Sequence, residues 1–351
     1  MSKRIVIMAG GTGGHVFPAL AVAQYLAEKE WQVSWIGTHK GMESRVVPEN
    51  NIEIDWLTVN GLRGKGFLAL IKMPLMLIKS CLEARKILQA RKPDVVLGMG
   101  GFVAGPGGLM AKLMGIPLVI HEQNRVPGTT NRLLSGMANK VLQAFPDSFV
   151  TAKSAIFTGN PLRQALIQQR SEKKHHSDVL HVLVMGGSLG AQRLNEVVPE
   201  ALALLDKSVE VRHQTGTAMR QSVELAYQDK SLQAQVTEFI EDVVGAYTWA
   251  DLVICRAGAM TVSEVAALGV PSILVPYPYA IDDHQTANAQ YLVGSGAGIM
   301  IAQQQLTGPF LAEQITHCST RLEEMATAAR QSAKMDATEL VAEQCMIEAA
   351  V

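Results

Sequence analysis

The sequence predicts two doubly wound α/β domains built on one plan. Three observations predict it. Apolar strand runs alternate with helical stretches: a strand over Arg4–Ala9, a helix from about Pro18 to Glu28, then a strand over Gln32–Ile36. Such alternation builds parallel sheets covered by helices. The second half then repeats the first, because Ile5-Val-Ile-Met-Ala-Gly-Gly-Thr-Gly-Gly14 has a counterpart in Val182-Leu-Val-Met-Gly-Gly-Ser-Leu-Gly190. A second pair recurs in the same order. Asp94-Val-Val-Leu97 leads through glycines and a helix to Gly115-Ile-Pro-Leu-Val-Ile120, as Asp251-Leu-Val-Ile254 leads through Ala257-Gly258 and a helix to Gly269-Val-Pro-Ser-Ile-Leu274.

The chain has 351 residues, room for two cores at ~100–200 residues per domain. The seam is expected near Gly159-Asn160-Pro161, giving a first domain over 1–160 and a second over 161–335. Asp336 reads as the N-cap of a final helix, 336–351, that packs back on the first domain. The polar stretch Gln168–Asp178 reads as an exposed connection, and His175-His176 within it as part of a solvated charged run. A formal net charge of −1 gives no sign of a nucleic-acid partner. Cys81, Cys255, Cys318 and Cys345 are scattered without a CxxC pair, which excludes a zinc ribbon and fits a reducing cytosol. The most lipid-like stretch, Phe67–Ile78, is broken by Lys72 and Pro74 and is too short to span a bilayer. The apolar start runs into glycines before it can form a signal-peptide core.

Glycine clusters follow strands at Gly10–Gly14, Gly98–Gly108 and Gly186–Gly190. A glycine turn between strand and helix lets backbone N–H groups approach an anion at the helix N-terminus. In open α/β sheets the ligand sits beyond the carboxyl ends of the strands, here in the cleft expected between two such domains. The dinucleotide fingerprint fails: counted from Gly11, Val16 stands where the last glycine belongs, and Gly37-Thr38 stands where a ribose-binding acid would. A Walker-type loop and an Asp-x-Asp metal motif are also missing, so no cofactor and no metal are expected. Diphosphate charge would then fall to backbone amides, helix dipoles and arginines such as Arg163 and Arg256.

The segments Gly10-Gly-Thr-Gly-Gly-His15, Gly98-Met-Gly-Gly-Phe-Val-Ala-Gly-Pro-Gly-Gly108, His121-Glu-Gln-Asn124, Gly159-Asn-Pro-Leu-Arg163, Gly186-Gly-Ser188 and Ala259-Met-Thr-Val-Ser-Glu264 closely resemble the MurG family. These are bacterial N-acetylglucosaminyltransferases of peptidoglycan synthesis. The resemblance runs in order through nearly the whole chain. It implies a GT-B fold of two Rossmann-like domains. It also implies inverting transfer of GlcNAc from UDP-GlcNAc to the C4 hydroxyl of lipid I, at the cytoplasmic face of the cell membrane. Its implied partners are UDP-GlcNAc, lipid I, an anionic membrane surface and other cell-wall synthesis proteins.

The resemblance implies site roles as well. Thr12, Gly13 and Gly14 face the sugar donor, with Asn124 nearby. Arg163 and Ser188 approach the nucleotide or its diphosphate, and Ile240 lies by the uracil. Ala259, Met260, Thr261, Val262 and Ser263 form the phosphate-facing helix start. Glu264 holds the ribose hydroxyls, and Gln285 reaches the sugar. Read physically, Glu264 stands about a turn and a half into a helix, where one carboxylate can accept two hydroxyl hydrogen bonds. His15 follows the first glycine loop, where the positive helix end favours the neutral imidazole that can take a hydroxyl proton. It could equally cap the helix or orient the acceptor. Glu122 is the rival base, or the stabiliser of the loop that carries Asn124. A UDP-GlcNAc 2-epimerase of the same fold is the competing activity. An NAD-dependent oxidoreductase and a non-catalytic nucleotide-binding module stand further off.

A helix is expected from Pro74, at its first position, to about Gln89. Leu77, Cys81, Ala84 and Leu88 should line its packed face. Leu75, Ile78 and Leu82, with Ile71 upstream, would then form an exposed apolar patch rimmed by Lys72, Lys79, Arg85, Lys86, Arg63 and Lys65. Such a patch suits monotopic contact with anionic lipid. The alternative is that residues 61–73 fold over it as a loop.

Overall fold

The computed structural model describes residues 2–58, 67–149, 154–169, 178–187 and 190–350, with 67–73 and Ile281 described by backbone alone. The chain divides into two compact units: Met1–Arg163 with Met335–Val351, and Gln164–Lys334.

The first unit runs β1 (Arg4–Met8), α1 (Gly13–Glu28), β2 (Gln32–Gly37), α2 (Glu43–Glu49), β3 (Glu53–Trp56), α3 (Phe67–Arg91), β4 (Val95–Gly98), α4 (Ala104–Leu113), β5 (Leu118–Glu122), α5 (Thr129–Leu134), β6 (Lys140–Gln143) and β7 (Ile156–Phe157). Its sheet is parallel, in the order β3-β2-β1-β4-β5-β6-β7. The second unit runs α6 (Gln164–Gln168), β8 (Leu180–Met185), α7 (Gln192–Leu202), β9 (Val209–Gln214), α8 (Arg220–Gln228), β10 (Ala234–Thr237), α9 (Val243–Trp249), β11 (Leu252–Cys255), α10 (Ala259–Leu268), β12 (Ser272–Leu274), α11 (His284–Ser295), β13 (Gly298–Met300), α12 (Gly308–Ser319) and α13 (Leu322–Ser332). Its parallel sheet is ordered β10-β9-β8-β11-β12-β13. The final helix, α14 (Ala337–Glu348), belongs to the first unit and packs against α1.

Successive residues of a strand point to opposite faces. In β1, Ile5 and Ile7 join a core with Val16, Ala19, Val22 and Leu26 of α1 and Val341 and Cys345 of α14. Val6 and Met8 join the other core, with Ala84 and Leu88 of α3, Ala104 and Ala111 of α4, and Leu134 of α5. A strand covered on both faces needs an unbroken apolar run, which is what Ile5–Met8 supplies. In each sheet the chain reverses its order of advance beside the first strand, between β1 and β4 and between β8 and β11. The register pairs Met8 with Gly98 and Met185 with Cys255. The glycine loops therefore leave the sheets at these switch points, where open α/β sheets take ligands.

Several boundaries differ from expectation. The unit boundary falls after Arg163, so Pro161–Arg163 stay with the first unit; the Asn160 amide donates to the Gln123 carbonyl at 3.1 Å. Helix α1 opens at Gly13, not Pro18, and Pro18 lies inside it. Thr12 is extended and stops the helix N-terminally, while proline six residues in forgoes only one backbone bond. Helix α3 likewise begins at Phe67 with Pro74 internal, because Phe67-Leu-Ala-Leu70 is itself a helix-compatible run. Of its described side chains only Ser80, Ala84 and Leu88 are buried. Leu77, expected on the packed face, is 48% exposed, since contact with the core begins a turn further along. Asp336 does occupy the N-cap of α14, but its side chain makes no capping bond. All four cysteines are free thiols. Residues 170–177, including His175 and His176, lie outside the described set, as do Arg63 and Lys65.

Candidate functional site

In the first unit the glycine loop after β1 is held from below. The buried Trp35 indole N–H donates to the Ala9 carbonyl at 2.8 Å. The Gly11 N–H donates to Glu43 Oε2 at 2.9 Å, and Glu43 Oε1 accepts from the Thr38 N–H at 2.9 Å and hydroxyl at 2.8 Å. A Cβ at Gly10, Gly37 or Gly41 would stand 2.7 Å or less from this side chain, so the three glycines make the space that Glu43 fills. The Gly11 amide is therefore committed to a carboxylate and withheld from any phosphate. Thr12, at the N-cap of α1, is exposed and makes no side-chain capping bond, and Gly13, Gly14 and His15 form the first helical turn.

His15 is half-buried, with Nδ1 2.9 Å from Gln123 Oε1. Gln123 Nε2 lies 3.2 Å from His121 Nδ1, and His121 Nε2 lies 2.9 Å from the Gly159 carbonyl oxygen. Gly100 sits at φ 94°, in the left-handed region; a Cβ there would come within 2.9 Å of the His15 ring. Burial pushes the His121 pKa down to about 4, the Gly159 bond opposing and the His15 charge adding.

Glu122 is buried at the end of β5 and both its oxygens are engaged. Oε1 accepts from the Asn124 backbone at 2.9 Å and its amide at 3.4 Å; Oε2 accepts from Gly128 N–H at 3.1 Å and Asn131 Nδ2 at 2.9 Å. A carboxylate bonded by these donors is an anchor of the 123–131 loop, and this geometry tells against Glu122 as the base. Arg163 closes the first unit with its guanidinium 5.3 Å from the centre of the Phe17 ring of α1.

In the second unit, a Cβ on Gly190 (φ 74°) would stand 2.2 Å from the Thr215 carbonyl oxygen, so the chain entering α7 passes directly against the end of β9. Ser188 lies outside the described residues. Beneath this crossing His213, fully buried, bonds Tyr227 through Nδ1 at 2.9 Å and Asn195 Oδ1 through Nε2 at 3.0 Å; Asn195 Nδ2 donates to Thr215 O at 3.1 Å. Burial lowers the His213 pKa to about 3.

Gly258 caps α10 without a side-chain bond, so the amides of Ala259, Met260 and Thr261, in the first turn after β11, have no helical acceptor. Val262 and Glu264 are buried along the helix. The Tyr247 hydroxyl, 3.3 Å away, donates to Glu264 Oε2. Burial, with the Glu264 charge adding, pushes the Cys255 thiol up to about 12. Asn288 Nδ2 donates to the Ala257 carbonyl at 3.2 Å and ties α11 to this turn. Ile240 is half-buried beyond β10. One arrangement departs from expectation. Arg256 donates to the carbonyls of Val275 (3.1 Å) and Pro276 (3.3 Å) and to Gln303 Oε1 (2.7 Å), so it braces the chain after β12 rather than offering its fork to a diphosphate. Gln285 Oε1 accepts from the Tyr277 N–H at 2.9 Å, which leaves its amide N–H₂ as the end able to meet a sugar. Among the described residues no group of three or more His, Cys, Asp or Glu is placed to hold a metal ion.

Glu43, His121, Gln123, Tyr247 and Asn131 were not singled out by sequence reasoning. Gln123 and His121 stood inside the quoted segment His121–Asn124 without a role. Glu43 had one faint signal: a lone acid among Gly37, Thr38 and Gly41.

Each unit thus carries its own glycine-turn arrangement at a sheet switch point, with a histidine on that of the first and a buried acid on that of the second. Glycosyltransferases are built this way, and the family models agree: the glycosyltransferase family 28 N-terminal domain matches residues 5–143 and its C-terminal domain residues 181–344. The chain belongs to glycosyltransferase family 28. It is 58% identical over 355 aligned residues to the UDP-N-acetylglucosamine–N-acetylmuramyl-(pentapeptide) pyrophosphoryl-undecaprenol N-acetylglucosamine transferase of Methylococcus capsulatus, covering 99% of each. The crystal structure of Acinetobacter baumannii MurG matches at TM-score 0.85 and 42% identity, over 98% of this chain and 99% of that one. A UDP-GlcNAc 2-epimerase from Neisseria meningitidis, bound to UDP-GlcNAc, matches at TM-score 0.70 but 15% identity, over 98% of this chain and all of that one. That likeness is one of GT-B fold alone.

Proposed function

We infer that the chain transfers N-acetylglucosamine from UDP-N-acetylglucosamine to the N-acetylmuramyl-pentapeptide of the undecaprenyl-pyrophosphoryl acceptor, lipid I, forming lipid II. The observation that carries this is the 58% identity to a transferase of that name across 99% of both chains.

The second unit takes the nucleotide. Glu264 accepts from both ribose hydroxyls, with Tyr247 fixing the carboxylate from behind. The free amides at residues 259–261 and the turn before α7, including Ser188, meet the diphosphate, with Ile240 beside the uracil and Gln285 at the sugar. The first unit takes the acceptor and supplies the base. The acceptor C4 oxygen attacks the anomeric carbon as the bond from that carbon to the β-phosphate oxygen breaks. Configuration inverts, UDP departs with the bonding pair, and the hydroxyl proton passes to His15 Nε2. Asn124, positioned by Glu122, Arg163 and the turn Thr12–Gly14 orient the reacting groups. No residue of this scheme calls for a resident metal or cofactor.

The test is a product assay with UDP-GlcNAc and a soluble lipid I analogue. Disaccharide and UDP should appear only when the acceptor is present. Formation of UDP-ManNAc from UDP-GlcNAc alone would replace this reading with the epimerase.

A further inference from the structure

We propose that His121 and Gln123 are positioning residues that set the tautomer of His15, holding the proton on Nδ1 so that Nε2 is left as the proton acceptor. The proposal rests on the reading of His15 as the base and deepens it.

One group in this chain of contacts has a role that cannot change. The Gly159 carbonyl oxygen only accepts, so the His121 Nε2 at 2.9 Å must carry hydrogen and donate. His121 is fully buried and its pKa falls to about 4, so at neutral pH the ring holds one proton, already placed on Nε2. Its Nδ1 is therefore a lone pair and accepts from Gln123 Nε2–H at 3.2 Å. The His121 carbonyl, 3.4 Å from the same nitrogen, favours that amide orientation too. Gln123 Oε1 must then face His15, and at 2.9 Å it accepts from Nδ1–H. Each assignment forces the next, from a backbone carbonyl to the candidate base. Asn160, whose amide donates to the Gln123 carbonyl, holds the same segment, and Gly100 lets the chain pass against the His15 ring.

The consequence is chemical. A neutral histidine in water prefers its proton on Nε2, the wrong nitrogen for this task. A neutral amide oxygen reverses that preference without adding charge beside a departing diphosphate. In serine proteases a carboxylate plays the orienting part, and replacing it so that the wrong tautomer forms costs ~10⁴ in kcat.

The experiment is long-range ¹H–¹⁵N correlation on protein labelled in its histidines, which distinguishes a protonated ring nitrogen from a lone-pair one. Wild type should show His15 with Nδ1–H, assigned by the signals lost in His15→Ala. In Gln123→Met, which offers no acceptor, His15 should shift toward Nε2–H and kcat should fall at least ~10²-fold, the scale of a lost general base, with KM for UDP-GlcNAc little moved. Gln123→Glu, whose carboxylate can also accept from Nδ1–H, should restore the wild-type His15 tautomer. Nε2–H on His15 in wild type, a measurement that needs no variant, overturns the proposal. So does an unchanged tautomer in Gln123→Met. A shifted tautomer with undiminished kcat upholds the positioning and removes His15 as the base, which keeps the two claims separable.

Discussion

Glu264 shows how its surroundings fit one side chain for the ribose-binding role proposed for it. Its helix opens on an uncapped glycine turn, its own flank is buried, and the Tyr247 hydroxyl donates to one oxygen. One lone-pair-rich carboxylate held this way prefers a neutral diol to another anion, which is what a ribose offers. Hydrogen bonds to a charged group contribute ~1.5–3 kcal/mol each. Glu264→Ala should therefore lose roughly 10²–10³-fold in kcat/KM. The variant should also lose most of its preference for UDP-GlcNAc over the 2′-deoxyribose analogue, and steady-state kinetics with both donors would check this. An unchanged preference would remove Glu264 from the ribose. The place of Glu264 on a helix behind a glycine turn was legible in the sequence because that pattern is local. Glu43 and Gln123 were not, because the contacts that tie them to the site, to Gly11 and to His15, span 32 and 108 residues and no local spacing encodes such a bond. Arg256 failed for a related reason: a charged residue at a loop end reads as available until the carbonyls of Val275 and Pro276 are seen to hold it.

Among the elements, α3 departs most from the ordinary logic of a helix on a sheet. Its buried side chains recur every fourth residue, at Ser80, Ala84 and Leu88. Leu75, Ile78 and Leu82 are 72%, 57% and 54% exposed, and Leu77 joins them. Lys79, Arg85 and Lys86 are exposed among them; Ile71 and Lys72 lie where side chains are not described. Helix α4 packs on α3, and α5 on α4; each of these carries an exposed leucine next in sequence to an exposed cation, Leu113 by Lys112 and Leu133 by Arg132. Apolar side chains rimmed by cations suit the interface of an anionic bilayer, where each lysine or arginine contributes ~1 kcal/mol. Among the described residues no helix is long and apolar enough to cross a membrane, and an acceptor carried on an undecaprenyl chain must be met at the bilayer. Leu75→Glu with Ile78→Glu should reduce binding to anionic vesicles and turnover of full-length lipid I, while turnover of a short-chain acceptor persists. Unaltered sedimentation with vesicles would move the membrane contact elsewhere. The exposed trio was legible from helical periodicity. The start of the helix was not, because proline at a first turn and proline within a helix look alike until the residues before it are placed.

At the scale of the whole molecule, the repeated plan was readable because each unit spends its apolar runs on buried parallel strands, and those runs recur in order. What the repeat concealed is that each unit also buries one neutral histidine beside its switch-point loop: His121 in the first, His213 in the second. Burial is the main cause in both, lowering the pKa to about 4 and about 3. In the unfolded chain both titrate near ~6.5. Between the folded and unfolded values the unfolded state binds more protons, so stability rises with pH across that window. It is fully present above ~6.5 and is lost as pH falls toward the folded values. At pH 5 the linkage removes about 2 kcal/mol per histidine, and the two losses fall on different units. Denaturant midpoints should therefore drop from pH 7 to pH 5 in both units, ahead of general carboxylate protonation. His213→Gln, which keeps a donor toward Asn195 but cannot take up a proton, should start less stable at pH 7 and flatten the acid dependence of the second unit alone. Midpoints that stay level between pH 7 and 5 in the wild type would mean that the buried rings take up protons in the folded state as readily as in the unfolded chain, and burial would then not be what keeps them neutral.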